Sequence, residues 1–201
     1  MCVITISPEG KKLNKKKIEE MWDSNPHGAG VAYPISSQKL KVIKGIMELD
    51  DFLKIYYDIP EVPHVFHFRF ASVGARIPEL THPFDVNDPF RTELIFVTDK
   101  VLFHNGTISN HKILLYSLLP QMDKEDLHKF LDLEDYSDSQ VVTLLLKKTG
   151  DPRILELFRD RFVFMTPDKI EKYGKFQEKD GFYFSSYIVR YFYFDFRKND
   201  F

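Results

Sequence analysis

The strongest constraint on the fold comes from the stretch Pro63 to Phe70, in which phenylalanines alternate with other side chains. A period of two residues is the period of a β-strand, so Val65, His67 and Arg69 share one face and the phenylalanines share the other. His64 and His67 then lie on opposite faces, which argues against a metal site built on two histidines of this strand. We therefore expect a strand that presents His67 and Arg69 together, without a metal ion.

The other elements are predicted from apolar periodicity, turn residues and helix caps. Strands are expected at residues 2–6, 28–33, 39–46, 94–98, 101–104, 162–165, 182–184 and 188–196. Residues 94–98 and 101–104 are expected to form a hairpin around Asp99-Lys100, and Ser137 with Gln140 is expected to cap a helix. Further helices are expected at 14–23, 49–57, 110–119 and 152–159, and loops at 71–83 and 120–136.

The order of these elements predicts the fold class. Strands outnumber helices, and the helices come in pairs between blocks of strands, which suits two packed antiparallel sheets with helices outside. We expect an α+β fold of this kind, with residues 1–201 forming a single domain, because 120–136 is too short to separate a second core.

The net charge of −2 argues against nucleic acid as a partner. The apolar runs are too short for a signal peptide or a membrane span. A lone cysteine without an export signal predicts a cytoplasmic protein.

Cys2 is the only cysteine of the chain and follows Met1 directly. If Met1 is removed, as we expect, Cys2 carries a thiol and a free α-amino group on the same residue. The amine can activate the thiol as a nucleophile, and both groups have ordinary pKa values close to neutral pH. A cysteine near the start of a chain also occurs by chance, so this feature needs support from other residues.

That support comes from six short motifs spread over nearly the whole chain. In order, they are Met1-Cys2, Gly28-Ala29-Gly30, His67 to Gly74, His82-Pro83, His104-Asn105-Gly106 and Ser137 to Gln140. Together they resemble the class II glutamine amidotransferase domain of the N-terminal nucleophile (Ntn) hydrolase superfamily. The resemblance implies a four-layer αββα sandwich and an enzyme that needs no cofactor and no metal.

The resemblance also implies a role for each matched residue. Cys2 attacks the side-chain amide of L-glutamine, and Asn105 with the backbone N–H of Gly106 forms the oxyanion hole. Arg69 binds the α-carboxylate and Asp138 binds the α-ammonium. An acid in the first helical turn is also explained by the helix dipole alone. The residues expected around the substrate are Ser72, Gly28, Gly30 and His67, although a simple turn explains the glycines equally well.

Several residues depart from the family pattern. Val3, Phe70, Ser72 and Val73 replace residues that the family usually carries, and His27 stands where an acid often precedes the glycine. None of these changes removes a group needed for glutamine hydrolysis. They leave open the subfamily and the shape of the pocket entrance.

The resemblance implies a free-standing glutaminase domain that supplies ammonia to a separate synthase. Two alternatives remain at this stage. One is an N-terminal cysteine amidohydrolase acting on another linear amide, although such enzymes lack the Arg69 and Asp138 pair. The other is a non-catalytic binding module, in which we would expect Cys2, Asn105 or Asp138 to be lost.

Overall fold

The computed structural model describes residues 2–186, and its backbone is dominated by antiparallel strands. The predicted strand at 188–196 lies outside the described residues. The strands are β1 (Val3–Ser7), β2 (Ala29–Pro34), β3 (Leu40–Ile46), β4 (His64–Phe68), β5 (Phe84–Asp85), β6 (Ile95–Thr98), β7 (Val101–Asn105), β8 (Arg161–Met165), β9 (Ile170–Tyr173), β10 (Gln177–Lys179) and β11 (Phe182–Phe184). The α-helices are α1 (Lys15–Ser24), α2 (Leu49–Asp58), α3 (His111–Leu118), α4 (Lys124–Leu131) and α5 (Asp138–Thr149).

The strands form two sheets that pack face to face. The larger sheet has the order β10-β11-β1-β4-β2-β3-β6, and the smaller has the order β5-β7-β8-β9. Their facing surfaces bury an apolar cluster that includes Ile4, Val65, Phe103 and Val163. Alternation along each strand sends the neighbouring side chains to the opposite face, where helices cover them.

Helices cover the outer face of each sheet. Ile18 of α1 and Phe52 of α2 pack against Phe66 of the larger sheet, and Val142 of α5 packs against Phe162 of the smaller sheet. The predicted α+β sandwich of two antiparallel sheets flanked by helices is confirmed. Among the residues that the structure describes, no helix has the length and apolar character needed to cross a membrane.

Strand β1 lies inside the larger sheet, between β4 and β11. Val3 pairs with Phe68 of β4, and Thr5 pairs with Phe66 of β4 and Phe184 of β11. Cys2 therefore stands immediately before a strand that is held along both edges. The capping box of Ser137 and Gln140 is formed as predicted, and it fixes the start of α5 next to that strand end.

The predicted hairpin at 94–104 is wrong. Strand β6 pairs with β3 in the larger sheet, whereas β7 pairs with β5 and β8 in the smaller one. Asp99-Lys100 thus carries the chain from one sheet to the other. Phe96 and Phe103 both point into the core between the sheets, so the two strands face one another instead of pairing side by side.

Three further predictions differ from the structure. The stretch 120–136 is not a loop, because it contains α4, whose N-cap Asp123 accepts a hydrogen bond from the Asp126 N–H at 2.8 Å. The stretch 152–159 forms only a 3₁₀ helix at Pro152–Leu157. Strands β9 and β10 were not expected, since their charged sequences lack the apolar runs on which strand prediction depends.

Candidate active site

A small cleft opens where β1, β4, β7 and α5 meet. Cys2 precedes β1, Arg69 follows β4, Gly106 follows β7 and Asp138 begins α5. The side chains and backbone that line the cleft are those of Cys2, Arg69, Phe70, Ala71, Ser72, Val73, His82, His104, Gly106, Ser137, Asp138 and Ser139. Four separate chain segments thus bring a thiol, a guanidinium and a carboxylate to one place.

The Cys2 thiol lies against the backbone of Phe70. The Phe70 N–H donates to Sγ at 3.2 Å, and Sγ is 3.5 Å from the Phe70 carbonyl oxygen. Burial raises the pKa of the thiol, while the Phe70 backbone contact and the positive charge of Arg69 act in the opposite direction. An N–H aimed at sulfur favours the thiolate, which is the nucleophilic form.

Arg69 is almost fully buried and holds the loop that follows it. Its Nη1 donates to the Ala75 carbonyl at 2.6 Å, and its Nη2 donates to the Val73 carbonyl at 3.1 Å. Burial lowers the pKa of Arg69, and the nearby Cys2 and Asp138 oppose this effect. A guanidinium has five N–H donors, so these two bonds leave donors for an anionic ligand.

Asp138 ties α5 to the turn after β7. Its Oδ2 accepts a hydrogen bond from the Ile108 N–H at 2.7 Å, and its Oδ1 lies 3.4 Å from Ser139 Oγ. The carboxylate is 5% exposed. It therefore keeps acceptor capacity on Oδ1 for a ligand that enters the cleft.

Asn105 at the end of β7 is fully buried behind the cleft. Its Nδ2 donates to Ser185 Oγ and Ser186 Oγ, each at 2.8 Å, and Ser186 Oγ donates to the Cys2 carbonyl at 2.6 Å. Its Oδ1 has no hydrogen-bond partner within residues 2–186. Both amide hydrogens are thus directed to serines, and the serines connect Asn105 to the backbone of Cys2.

Gly106 lies against Asp160, a residue that the sequence analysis did not identify. A Cβ added at Gly106 would overlap the Asp160 side chain. The carboxylate also accepts from the Thr107 N–H and lies 3.4 Å from His104 Nε2, and this His104 contact holds the pKa of Asp160 below its usual range. Asp160 stands between Arg159 and Arg161 in the sequence, and three charged residues in a row indicate only a solvent-exposed turn.

The other predicted substrate residues fall into two groups. Ser72 lines the cleft, and its hydroxyl is 2.8 Å from Thr107 Oγ1. Gly28, Gly30 and His67 do not line it. The Gly28 carbonyl accepts from the Arg69 N–H at 2.8 Å, and a Cβ at Gly30 would overlap the His82 carbonyl. The ring of His67 lies between the sheets, 4.1 Å from that of His82.

The buried histidines predict a marked acid sensitivity. Burial lowers the pKa of His67 to about 3 and that of His64 to about 4. Below about pH 6.5 these histidines bind a proton in the unfolded chain but not in the folded chain. The free energy of unfolding therefore decreases as the pH is lowered from about 6.5 towards the pKa of each histidine in the folded chain. Each such histidine should add a slope of about 1.4 kcal/mol per pH unit.

This slope can be measured by guanidinium unfolding of the wild type, His67→Leu and His128→Leu between pH 7.5 and 5. The range is chosen because the reference pKa of histidine is about 6.5. His67→Leu should lower the slope of unfolding free energy against pH by about 1.4 kcal/mol per unit. His128→Leu is the control, because the His128 side chain is 80% exposed. An equal slope in wild type and His67→Leu would contradict the expected protonation.

Two solved structures are similar to this chain over most of its length. The glutamine phosphoribosylpyrophosphate (PRPP) amidotransferase from B. subtilis, solved with ADP and GMP, superposes with a TM-score of 0.61 at 17% identity. A structure described as the allosteric regulatory enzyme of purine biosynthesis superposes with a TM-score of 0.60 at 17% identity. Each match covers 92% of this chain and 41% of the other. The fold is that of an Ntn amidotransferase domain.

The comparisons with sequences gave no further relative. No protein-family model matches the chain, and no curated protein matches it. The chain spans about two-fifths of the length of the PRPP amidotransferase, and identity of 17% shows a shared fold.

Proposed function

We propose that this protein hydrolyses the side-chain amide of L-glutamine through a thioester on Cys2, releasing glutamate and ammonia. The observation that carries the proposal is the convergence of the Cys2 thiol, the Arg69 guanidinium and the Asp138 carboxylate on one small cleft. A free amino acid has a carboxylate and an ammonium group, and the cleft supplies one group of opposite charge for each.

The proposed reaction begins after Met1 has been removed. The α-amine of Cys2 takes the thiol proton, and Sγ attacks the amide carbon to form the C–S bond. The carbonyl oxygen becomes an oxyanion beside Gly106, the C–N bond breaks, and the α-ammonium returns the proton to the leaving group as ammonia. Water then cleaves the thioester, giving glutamate and restoring the thiol.

Asn105 can act in the oxyanion hole only if an amide hydrogen faces the reacting carbonyl. Ser185 Oγ already accepts from the Ile4 N–H at 2.8 Å, so its own proton is free to be donated to Asn105 Oδ1. Turning the amide by half a rotation would satisfy Oδ1 with the Ser185 hydroxyl and free Nδ2, while Ser186 Oγ, which donates to the Cys2 carbonyl, would lose the hydrogen bond that it accepts from Nδ2. Oxygen and nitrogen of an amide exchange places in such a turn. We propose that this orientation is the reactive one.

The ammonia is proposed to serve a separate synthase. The PRPP amidotransferase carries more chain than the 41% that matches here. By analogy, we propose that the acceptor chemistry for this protein lies outside residues 1–201.

The decisive experiment compares wild type with Asp138→Asn on two substrates. Glutamine should lose roughly ten- to hundredfold in kcat/KM, mainly through KM, because a hydrogen bond to a charged group is removed in ground and transition states alike. An analogue lacking the α-amino group should lose little, since it never made the contact. Asparagine can still accept from the Ile108 N–H, so the turn is retained.

The matched control is Asp132→Asn, whose side chain is 71% exposed at the end of α4. It should leave both substrates unaffected. Equal losses on glutamine and the des-amino analogue would show that Asp138 serves only the helix. A general N-terminal cysteine amidohydrolase would then be the better assignment.

A further inference from the structure

A row of polar groups runs beside the cleft from the partly exposed Asp160 through the buried His104 to the buried Ser139. His104 Nδ1 is 2.9 Å from Ser139 Oγ, and His104 Nε2 is 3.4 Å from Asp160 Oδ2. The His104 ring stacks on Phe162 with centroids 4.6 Å apart and planes 12° apart. Because the ring is also fully buried, it is held in this position.

The Ser139 hydroxyl has one hydrogen and two possible acceptors. One is His104 Nδ1 at 2.9 Å, and the other is Asp138 Oδ1 at 3.4 Å. If His104 carries its hydrogen on Nε2, then Nδ1 is an acceptor and takes the serine hydrogen. If the hydrogen is on Nδ1, the serine oxygen must accept it, and the serine hydrogen turns to Asp138.

Asp160 decides between these two states. An ionised carboxylate can only accept, so it needs the hydrogen of His104 on Nε2. Within residues 2–186, His104 Nε2 makes no hydrogen bond of ordinary geometry, and its ion-pair contact is the one with Asp160 Oδ2 at 3.4 Å. Asp160 is itself fixed, because it accepts from the Thr107 N–H and packs on Gly106.

We propose that Asp160 is a positioning residue that holds His104 in the Nε2–H form, so that Ser139 donates to His104 and leaves Asp138 Oδ1 open for a primary ammonium group. This inference rests on the proposed function, in which that group is the α-ammonium of glutamine. It identifies a selection for cationic amines that is set by Asp160, which His104, Ser139 and Asp138 separate from the amine.

The first test is the ring-nitrogen NMR spectrum of histidine-labelled protein, with His104→Gln used to assign the His104 signals. Wild type should show hydrogen on Nε2. In Asp160→Asn, the amide oxygen remains bound to the Thr107 N–H and its NH₂ faces Nε2, so the hydrogen of His104 should move to Nδ1. Hydrogen on Nδ1 in wild type, or the same form in both proteins, would overturn the proposal.

The second test is a double-mutant cycle on KM for glutamine. Asp160→Asn should raise KM roughly tenfold, because the serine hydrogen now occupies Asp138 Oδ1 and competes with a charged hydrogen bond. Asp160→Asn combined with Ser139→Ala should bring KM back to the value of Ser139→Ala alone, since the competing hydrogen is gone. If the two substitutions only damaged packing, their effects on KM would be additive in the double variant, and that result would contradict the proposal.

Thr143→Val serves as the matched control within α5. The Thr143 hydroxyl donates to the Ser139 carbonyl at 2.7 Å and is one turn away from the row. Its loss should leave KM and the His104 form unchanged. If wild type does not hydrolyse glutamine, the proposed function fails, while the NMR result still supports or overturns the role of Asp160.

Discussion

Cys2→Ala should abolish glutamine hydrolysis while leaving the fold intact. Within residues 2–186, the hydrogen bonds of the thiol are with the Phe70 backbone, and the β1 strand that follows is held along both edges by β4 and β11. Removing one sulfur atom therefore removes the nucleophile and little of the packing. The expected result is activity at the background of the assay, with a thermal unfolding midpoint within a few degrees of wild type.

Covalent labelling gives this prediction a second readout. Cys2 is the only cysteine in the sequence, so a diazoketone analogue of glutamine should add once to wild type and not at all to the alanine variant. Peptide mass analysis then locates the label and shows whether Met1 has been removed. Labelling that persists in Cys2→Ala would mean that another group is the nucleophile.

Gly106→Ala should lower kcat by roughly two to three powers of ten, the usual effect of losing an oxyanion-hole donor. The added methyl group would overlap the Asp160 side chain, so the backbone between Asn105 and Thr107 must move. That movement displaces the Gly106 N–H from the place where the oxyanion forms. The measurement is steady-state kcat with glutamine, alongside the thermal unfolding midpoint.

A double variant separates this collision from other causes. In Gly106→Ala with Asp160→Gly, every Asp160 side-chain atom that the new methyl group would meet, the Cβ included, is absent, so the unfolding midpoint should return to that of Asp160→Gly alone. A midpoint that stays as low as in Gly106→Ala would show that the collision with Asp160 is not the cause of the damage.

Most of the fold was predictable because local periodicity agrees with the final structure. The alternation in 63–70 and the capping box at Ser137 both depend on neighbours in sequence. The capping box is confirmed, and the predicted strand is found at His64–Phe68, so that Arg69 lies beyond its end and lines the cleft without His67. The hairpin at Asp99-Lys100 was predicted from the same kind of local pattern, and it is wrong. Two strands joined by a short turn have the same sequence pattern whether they pair in one sheet or face each other across the core from two sheets. Which sheet a strand joins is a tertiary property.

The candidate site was predictable as a set of residues but not as an arrangement. Cys2, Arg69, Gly106 and Asp138 line one cleft, and their chemical roles remain predictions. Glycine marks a close approach without saying what approaches, so Gly30 was placed near substrate when it in fact accommodates the His82 carbonyl. Asp160 was not predicted as a site residue, because its contact with the turn at Gly106 and Thr107 is a tertiary contact that the sequence does not reveal.

The pairing of β1 with β11 has a consequence for how the protein acquires its site during synthesis. The Ile4 N–H binds Ser185, which is 181 residues later in the chain, and Ser186 donates to the carbonyl of Cys2. Contacts so distant in sequence form late, because a long loop must close first. The segment that carries the thiol leaves the ribosome well before its serine partners do, because they lie more than 180 residues later in the chain. A nascent chain therefore exposes the cysteine long before it can hold a substrate.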